Sequence, residues 1–138
     1  MNGFIIKFEN NIIRFEYYLT EAPETCAAFH AALPFSRKFF HARVSGQEFW
    51  TDQGLLLQMP QENASVFTQP GEAVIGPVLP SRVKTANAIG IYYGEGKGLD
   101  AANIFATVVP EDLPALKALG ESIWKEGQKI LYFEALQK

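Results

Sequence analysis

Apolar and polar residues alternate in short runs along most of this chain, and that pattern predicts β-strands. The runs at residues 4–8 and 12–18 are joined by Glu9-Asn10-Asn11, which predicts a hairpin because adjacent Asn residues tolerate the positive φ of a tight turn. Turn residues such as Pro60, Gly71 and Gly76 separate further runs. These runs predict short strands at residues 39–44, 46–50, 55–57, 64–68, 73–75, 88–93, 104–109 and 130–133.

Two segments show helical spacing instead. Pro23 suits the first position of a helix, where its missing N–H is not needed, and Leu33-Pro34 ends that helix. A second helix opens at Pro110 and is capped by Gly127. Its apolar stripe consists of Leu113, Leu116, Leu119, Ile123 and Trp124, so Trp124 is interpreted as a core residue. Many short strands with two isolated helices predict a mainly β fold, a closed β-barrel plugged by helices.

The segment from Phe39 to Trp50 is the most informative for function. It is predicted to be a strand that turns at Ser45-Gly46 into a second strand. Period-2 alternation places His41 and Arg43 on one face together with Phe39. Arg43 can hold a carboxylate or phosphate with its planar fork, and His41 can donate or accept a hydrogen bond near neutral pH. With Trp50 beside them, these residues predict the floor of a polar pocket. The alternatives are a His41–Arg43 pair that faces solvent and a Trp50 that packs in the core.

Composition and charge exclude several classes of function. The formal charge of −3 and the scattered basic residues argue against a nucleic-acid surface. The longest apolar runs are far shorter than the roughly 20 residues that a membrane-spanning helix needs. No basic segment precedes a long apolar run at the N-terminus, so no signal peptide is expected. Cys26 is the only cysteine, which fits a cytoplasmic protein with a buried thiol. Two histidines and one cysteine predict neither a metal site nor a bound cofactor.

The order of the short motifs resembles that of prokaryotic cyclophilin-like proteins, which are small single-domain proteins of mostly unknown function. The segment Ala22-Pro23-Glu24-Thr25-Cys26-Ala27-Ala28-Phe29 is similar to the Ala-Pro-x-Thr-x-x-x-Phe helix start of cyclophilins. The later motifs that carry the resemblance lie at residues 45–50, 69–77, 90–94 and 103–106. The resemblance implies one domain over residues 1–138, folded as a closed eight-stranded cyclophilin-like β-barrel with two helices capping its ends.

Prolyl isomerase activity is not expected from this resemblance. Cyclophilins place a catalytic Arg in Phe-His-Arg-Val and follow it with a Gln-Gly-Gly stretch that lines the proline pocket. Here Phe40-His41-Ala42-Arg43-Val44 carries an extra Ala, and Ser45-Gly46-Gln47-Glu48 follows. One inserted residue moves a side chain to the other face of a strand, so Arg43 does not correspond to the catalytic Arg.

Further candidate residues lie in two later segments. Glu62 and Asn63 follow Pro60 in a predicted loop, where they cap a turn or, as the resemblance implies, contribute to the pocket. A Glu beside an Arg stays ionised, so Glu62 is the predicted partner of Arg43. The glycine-rich stretch at residues 93–98 predicts either a mobile loop over the pocket or a flexible surface connection. The complete predicted ligand-binding set is His41, Arg43, Trp50, Glu62, Asn63, Tyr93 and Asn103.

Two functions remain open at this point. The first is binding of, or action on, a small anionic or amide-containing metabolite in a cleft on the barrel surface. The second is a non-catalytic interaction module, or a subunit of a larger enzyme, with a homo-oligomer as one alternative. A concave pocket with converging polar groups favours the first function, and an exposed apolar patch of several hundred Å² favours the second.

Overall fold

The chain forms eight β-strands and two α-helices in the computed structural model, which describes residues 1–137. The strands are β1 (Gly3–Phe8), β2 (Asn11–Tyr17), β3 (Phe35–His41), β4 (Gly46–Thr51), β5 (Ala64–Phe67), β6 (Glu72–Ile75), β7 (Ile89–Val108) and β8 (Lys129–Ala135). The helices are α1 (Pro23–Ala32) and α2 (Leu113–Glu126), and a 3-10 turn at Pro110–Asp112 precedes α2. The predicted mainly β class with two helices is confirmed. Lys138, the last residue of the predicted domain, lies outside the described residues.

The strands pair in the order β2-β1-β8-β3-β4-β7-β5, and all of these neighbouring pairs are antiparallel. The path returns to its start because β2 also pairs with β7, with Phe15 opposite Val108. Strand β6 has a neighbour on both sides, since Ala73 lies opposite both Ile91 and Ala106 of β7. The short strand β6 therefore lies between the two halves of the long strand β7.

Aromatic rings fill the core that this sheet encloses. Phe4 stacks on Phe15 with ring centroids 4.6 Å apart, and Phe29 of α1 lies 4.8 Å from Phe105. These side chains have no exposed surface. Burying a Phe side chain contributes roughly 1.5–3 kcal/mol, so this aromatic cluster is the main favourable term that holds α1 against the strands.

Helix α2 departs from the sequence prediction at Trp124. Leu116, Leu119 and Ile123 are buried as predicted, but Trp124 is 65% exposed, so its interpretation as a core residue is wrong. The Tyr93 ring packs on Gly120, one turn before Trp124, and a Cβ on Gly120 would lie 2.1 Å from that ring. Tyr93 therefore takes the space on this side of the helix, and the Trp124 ring lies outside it.

The glycine-rich stretch is not a loop. It belongs to the 20-residue strand β7, where Gly96 lies opposite Gly46 of β4 and Lys97 lies opposite Phe67 of β5. A Cβ on Gly96 would lie 2.4 Å from the carbonyl oxygen of Ser45. The glycine is needed because two backbones approach closely, which is a property of bulged strands as well as of loops.

Two smaller predictions also fail. Residues 55–57 form no strand, although Leu55 is buried. The positive φ of the first hairpin falls on Glu9 (54°) rather than on an Asn. Gly71, predicted to lie in a turn, has a positive φ of 97°, and the predicted cap at Gly127 (φ 99°) is confirmed. Neither helix within residues 1–137 is long and apolar enough to cross a membrane.

Candidate functional site

A cleft of about 590 Å³ opens on the side of β3 and β4 that faces away from the core; we call it the Trp50 cleft. Alternation along β4 sends Phe49 and Thr51 into the core, where neither is exposed, and sends Glu48 and Trp50 into the cleft. Phe40 of β3 packs edge-on against Trp50, with ring centroids 6.2 Å apart. The cleft therefore has an aromatic wall.

The same alternation corrects the predicted pocket face of β3. Phe39 is fully buried in the core, whereas Phe40 lines the cleft, so the face that carries Phe39 is not the cleft floor. Strand β3 ends at His41, and the chain then turns. Arg43 belongs to that turn and is exposed, and it reaches the cleft from there.

Glu48 is the buried charged residue of the cleft. Its carboxyl group lies across Gly90 of β7, so close that a Cβ on Gly90 would be 2.0 Å from Glu48 Oε2. The hydroxyl of Ser45 donates a hydrogen bond of 2.5 Å to Glu48 Oε1. Burial raises the pKa of Glu48 from 4.5 to about 7, and hydrogen bonds from the hydroxyls of Ser45 and Tyr92 partly oppose that rise. At neutral pH this carboxyl group is present in both protonation states.

Sequence reasoning missed Glu48, Ser45 and Tyr92. The alternation along β4 does indicate Glu48 as a neighbour of Trp50, because Glu48 stands two residues before Trp50 and so shares its face. An acidic residue amid aromatic residues of a strand either faces solvent or is buried with partners, and the sequence does not separate these cases. Gly90 leaves space for the Glu48 carboxyl group, but this indicates burial only once β7 is known to pair with β4.

A smaller cleft of about 400 Å³ lies on the other side of the β3–β4 turn, between that turn and α2; we call it the Trp124 cleft. The Tyr93 hydroxyl lies 2.7 Å from His41 Nε2, and His41 Nδ1 lies 2.7 Å from the carbonyl oxygen of Ala42. A carbonyl only accepts, so Nδ1 donates, and in the neutral imidazole Nε2 then accepts from Tyr93. The Trp124 ring covers His41 with centroids 4.7 Å apart. Both nitrogens of His41 are therefore already bound within the protein.

The predicted ligand-binding residues fall into two groups. His41 and Arg43 line both clefts, Trp50 lines the first and Tyr93 lines the second. Of the remaining three, Glu62 and Asn103 contact Thr25 near the start of α1, and Asn63 contacts Ile104 of β7.

This second group fixes the chain around α1. Glu62 Oε1 accepts from the backbone N–H of Thr25, and Asn103 Nδ2 donates to Thr25 Oγ1 at 3.0 Å and to the Pro60 carbonyl at 2.9 Å. Asn63 Nδ2 donates to the Ile104 carbonyl at 2.8 Å. The predicted Arg43–Glu62 pair is not formed, and no ion pair involves Arg43 within residues 1–137. A ligand-binding role for Glu62, Asn63 and Asn103 stays a prediction, and these contacts do not support it.

Cys26 is fully buried. Its thiol lies 3.3 Å from the Phe105 carbonyl, and burial raises its pKa to about 12. A thiol with so high a pKa is not a nucleophile at neutral pH.

Solved structures show that the fold of this chain is similar to that of cyclophilins. A cyclophilin-type peptidyl-prolyl cis-trans isomerase from Cryptosporidium parvum, in the presence of the dipeptide Ala-Pro, aligns with a TM-score of 0.51 and 15% identity over 83% of this chain and 84% of that chain. The hypothetical protein AF2241 from Archaeoglobus fulgidus aligns with a TM-score of 0.67 and 20% identity, over 98% of this chain and 95% of that one. The predicted resemblance to cyclophilin-like proteins is confirmed.

The chain belongs to the DUF3830 family of proteins of unknown function, whose model matches residues 7–134. McbB, in a structure of its complex with tryptophan, aligns with a TM-score of 0.76 and 19% identity. This alignment covers 98% of the present chain but only 45% of McbB, so the chain spans less than half of that protein. No curated protein matches the sequence. At these identities the structural comparisons establish the fold alone.

Proposed function

We propose that this protein binds a small anionic or amide-containing metabolite in the Trp50 cleft. The observation that carries the proposal is the cleft itself, a concave space of about 590 Å³ with aromatic walls and a buried carboxyl group. Small-molecule sites in proteins enclose roughly 300–1,000 Å³ and combine apolar walls with a few placed polar groups. The cleft meets both criteria.

The lining residues suggest how such a ligand binds. The rings of Phe40 and Trp50 offer a surface for an apolar or planar part of the ligand. Arg43 is exposed at the cleft and forms no ion pair within residues 1–137, so its guanidinium N–H groups can meet a carboxylate or an amide oxygen. A polar group on the ligand would thus be oriented while its apolar part is desolvated.

The structural similarity to McbB suggests a first probe. McbB is described in complex with tryptophan, which joins a planar ring to a carboxylate. Tryptophan therefore heads a calorimetric and thermal-shift screen that also includes small carboxylates, amides and ureides. The screen needs no assumption about whether the protein is an enzyme.

The test uses two Arg43 variants and a matched control. Arg43→Ala is expected to weaken binding of an anionic hit by about 1.5–3 kcal/mol, the range for hydrogen bonds to charged groups. Arg43→Lys is also expected to weaken it, because an ammonium group does not reproduce the planar fork. Lys38→Ala removes an exposed cation from β3, the strand that precedes the turn of Arg43; it lies outside the cleft lining and is expected to bind normally. Equal binding by both Arg43 variants and the wild type would place the site elsewhere.

A specific observation also favours the alternative of a protein-interaction surface. Val44 and Leu99 line the Trp50 cleft and are 71% and 70% exposed. Light scattering across a range of protein concentrations tests self-association through this region. A dimer that dissociates in Val44→Asp and Leu99→Asp would support the interaction function over metabolite binding.

The strand pairing further supports a closed eight-stranded cyclophilin-like barrel with a helix at each end. Counting the two halves of β7 separately, with β6 between them, gives a ring of eight members.

We propose that residues 1–138 form this one domain and that the protein resides in the cytoplasm, where a free thiol such as that of Cys26 stays reduced. A single cooperative unfolding transition followed by fluorescence and circular dichroism tests the one-domain proposal.

A further inference from the structure

The way in which Glu48 is held limits the class of ligand that the Trp50 cleft can bind. Ser45 donates to Oε1, so Oε1 acts as an acceptor, and Oε2 lies over the bare Cα of Gly90. The protonated carboxyl group then carries its proton on Oε2, because a carbonyl-type Oε1 is the better acceptor for Ser45. It presents a donor and an acceptor side by side when the ligand takes the place of the Tyr92 hydroxyl, the other hydrogen-bonding neighbour of this carboxyl group.

We propose that Glu48 recognises a cyclic amide or ureide, through the edge of the ring on which an N–H group stands beside a C=O group. This inference rests on the proposed ligand-binding function of the Trp50 cleft. The ring C=O accepts a hydrogen bond from protonated Oε2, and the ring N–H donates one to Oε1. The two hydrogen bonds form as a pair between the carboxyl group and the ring edge. The flat face of the ring then packs against Trp50, which forms the wall beside Glu48 on the same strand.

Several titratable or charged groups line the cleft around Glu48. His41 and Arg43 lie at the end of β3 and in the following turn, and Tyr92 and Asp100 belong to β7. A nearby cation favours the ionised carboxylate, whereas the carboxylate of Asp100 favours the protonated form. Burial is the largest influence, and it raises the pKa of Glu48 to about 7. The protonated form is therefore abundant at and below neutral pH.

This geometry predicts a particular dependence of binding on pH. Only the protonated carboxyl group supplies both the donor and the acceptor. The apparent dissociation constant is the intrinsic one divided by the protonated fraction, so affinity for a neutral cyclic ureide should fall about tenfold between about pH 6 and pH 8. An amine-bearing cation would show the opposite trend, because it pairs with the carboxylate.

Hydantoin is the probe, and its 1,3-dimethyl derivative is the matched control that lacks both N–H groups. We expect the wild-type protein to bind hydantoin in an NMR titration, more weakly at the higher pH, and not to bind the dimethyl derivative. Glu48→Gln should keep the binding but lose its pH dependence, because a side-chain amide offers a donor and an acceptor at every pH. Glu48→Leu should lose the binding.

Gly90→Ala provides a second route to the same test. Its Cβ would occupy the position of Glu48 Oε2 and displace the carboxyl group without removing it. We expect this variant to lose hydantoin binding while its circular dichroism spectrum is unchanged. It covers the case in which Glu48→Leu does not fold.

The outcomes separate this inference from the proposed function. Three results would each overturn the proposal that Glu48 recognises a cyclic amide or ureide. They are loss of hydantoin binding in Glu48→Gln, wild-type affinity in Glu48→Leu, and equal binding of the dimethyl derivative. So would the absence of hydantoin binding at every pH. In each of these cases metabolite binding in the cleft survives if another ligand is bound and Trp50→Ala abolishes that binding. If Trp50→Ala and the Arg43 variants leave every ligand's affinity unchanged, the proposed function itself fails.

Discussion

Replacing Glu48 by glutamine should make the protein more stable at neutral pH, and by an amount that depends on pH. Glu48 is 8% exposed, and burial raises the pKa of its carboxyl group from 4.5 to about 7. Between these two values the folded protein holds a proton on Glu48 that the unfolded chain has released. Folding takes up one proton in this window, so each pH unit lowers the free energy of unfolding by about 1.4 kcal/mol.

The magnitude follows from the width of the window. The contribution is fully present below the unfolded pKa and is lost as the pH rises through the folded pKa. Over this range the wild type loses about 3 kcal/mol, while the glutamine variant has no proton to exchange at this position. The difference in unfolding free energy between variant and wild type should therefore grow by about 3 kcal/mol from about pH 4.5 to pH 8.

Urea denaturation of both proteins across this pH range measures the difference directly. Titrations of all other groups are shared by the two proteins and cancel in the comparison. Glu95→Gln, at an exposed position of β7, controls for the removal of one negative charge. A stability difference that stays constant with pH would refute the reasoning, because Glu48 would then be hydrated and ionised in the folded protein.

The other predictions concern the turn at Gly71, the missing isomerase activity and the buried thiol. Gly71→Ala should destabilise by at least about 1 kcal/mol, because φ is 97° and the new Cβ would lie 2.6 Å from Val108 Cγ1. Gly127→Ala, with φ of 99° and no atom within 4 Å of its Cβ, should cost less in the same urea experiment, and equal costs would contradict the role of Val108. A standard peptide isomerisation assay should show no cyclophilin-like turnover, since Arg43 lies beyond the end of β3; turnover at a cyclophilin's rate would contradict this. Cys26 should react with a thiol reagent only on unfolding, because its pKa is raised to about 12 and it is fully buried, and rapid reaction of the native protein would show that α1 opens.

The fold was largely readable from local patterns. The first hairpin, both helices and the last strand follow from alternation, from Pro23 and Pro110, and from Gly127, each of which acts within a few residues. The glycine-rich stretch was misread because a glycine placed by a close backbone contact looks the same in sequence as a glycine in a loop. That contact lies between Gly96 and Ser45, about fifty residues apart, and no local pattern contains it.

The site was less readable because its residues come together only through long-range pairing. His41, Arg43 and Trp50 line one cleft as the sequence predicts, since a single hairpin carries them, and their role in binding stays a prediction. Glu48 was missed because its burial depends on Gly90 of another strand. Glu62 is predicted to pair with Arg43 from its charge and from the family resemblance, whereas the fold brings it to the backbone of Thr25 at the start of α1. Charge complementarity without topology leaves such pairings undetermined.

The position of β6 between the two halves of β7 has a consequence for how the cleft moves. Releasing β6 would break two hydrogen-bonded ladders at once, one toward residues 89–91 and one toward residues 103–107. Its amide hydrogens should therefore exchange with solvent only when the whole protein unfolds. Val74 of β6 lies opposite Gly90, which supports the carboxyl group of Glu48, so this part of the cleft rests on a segment whose amides we expect to exchange slowly. A ligand would then meet a preformed surface on this side, and adaptation would be confined to the turn that carries Arg43.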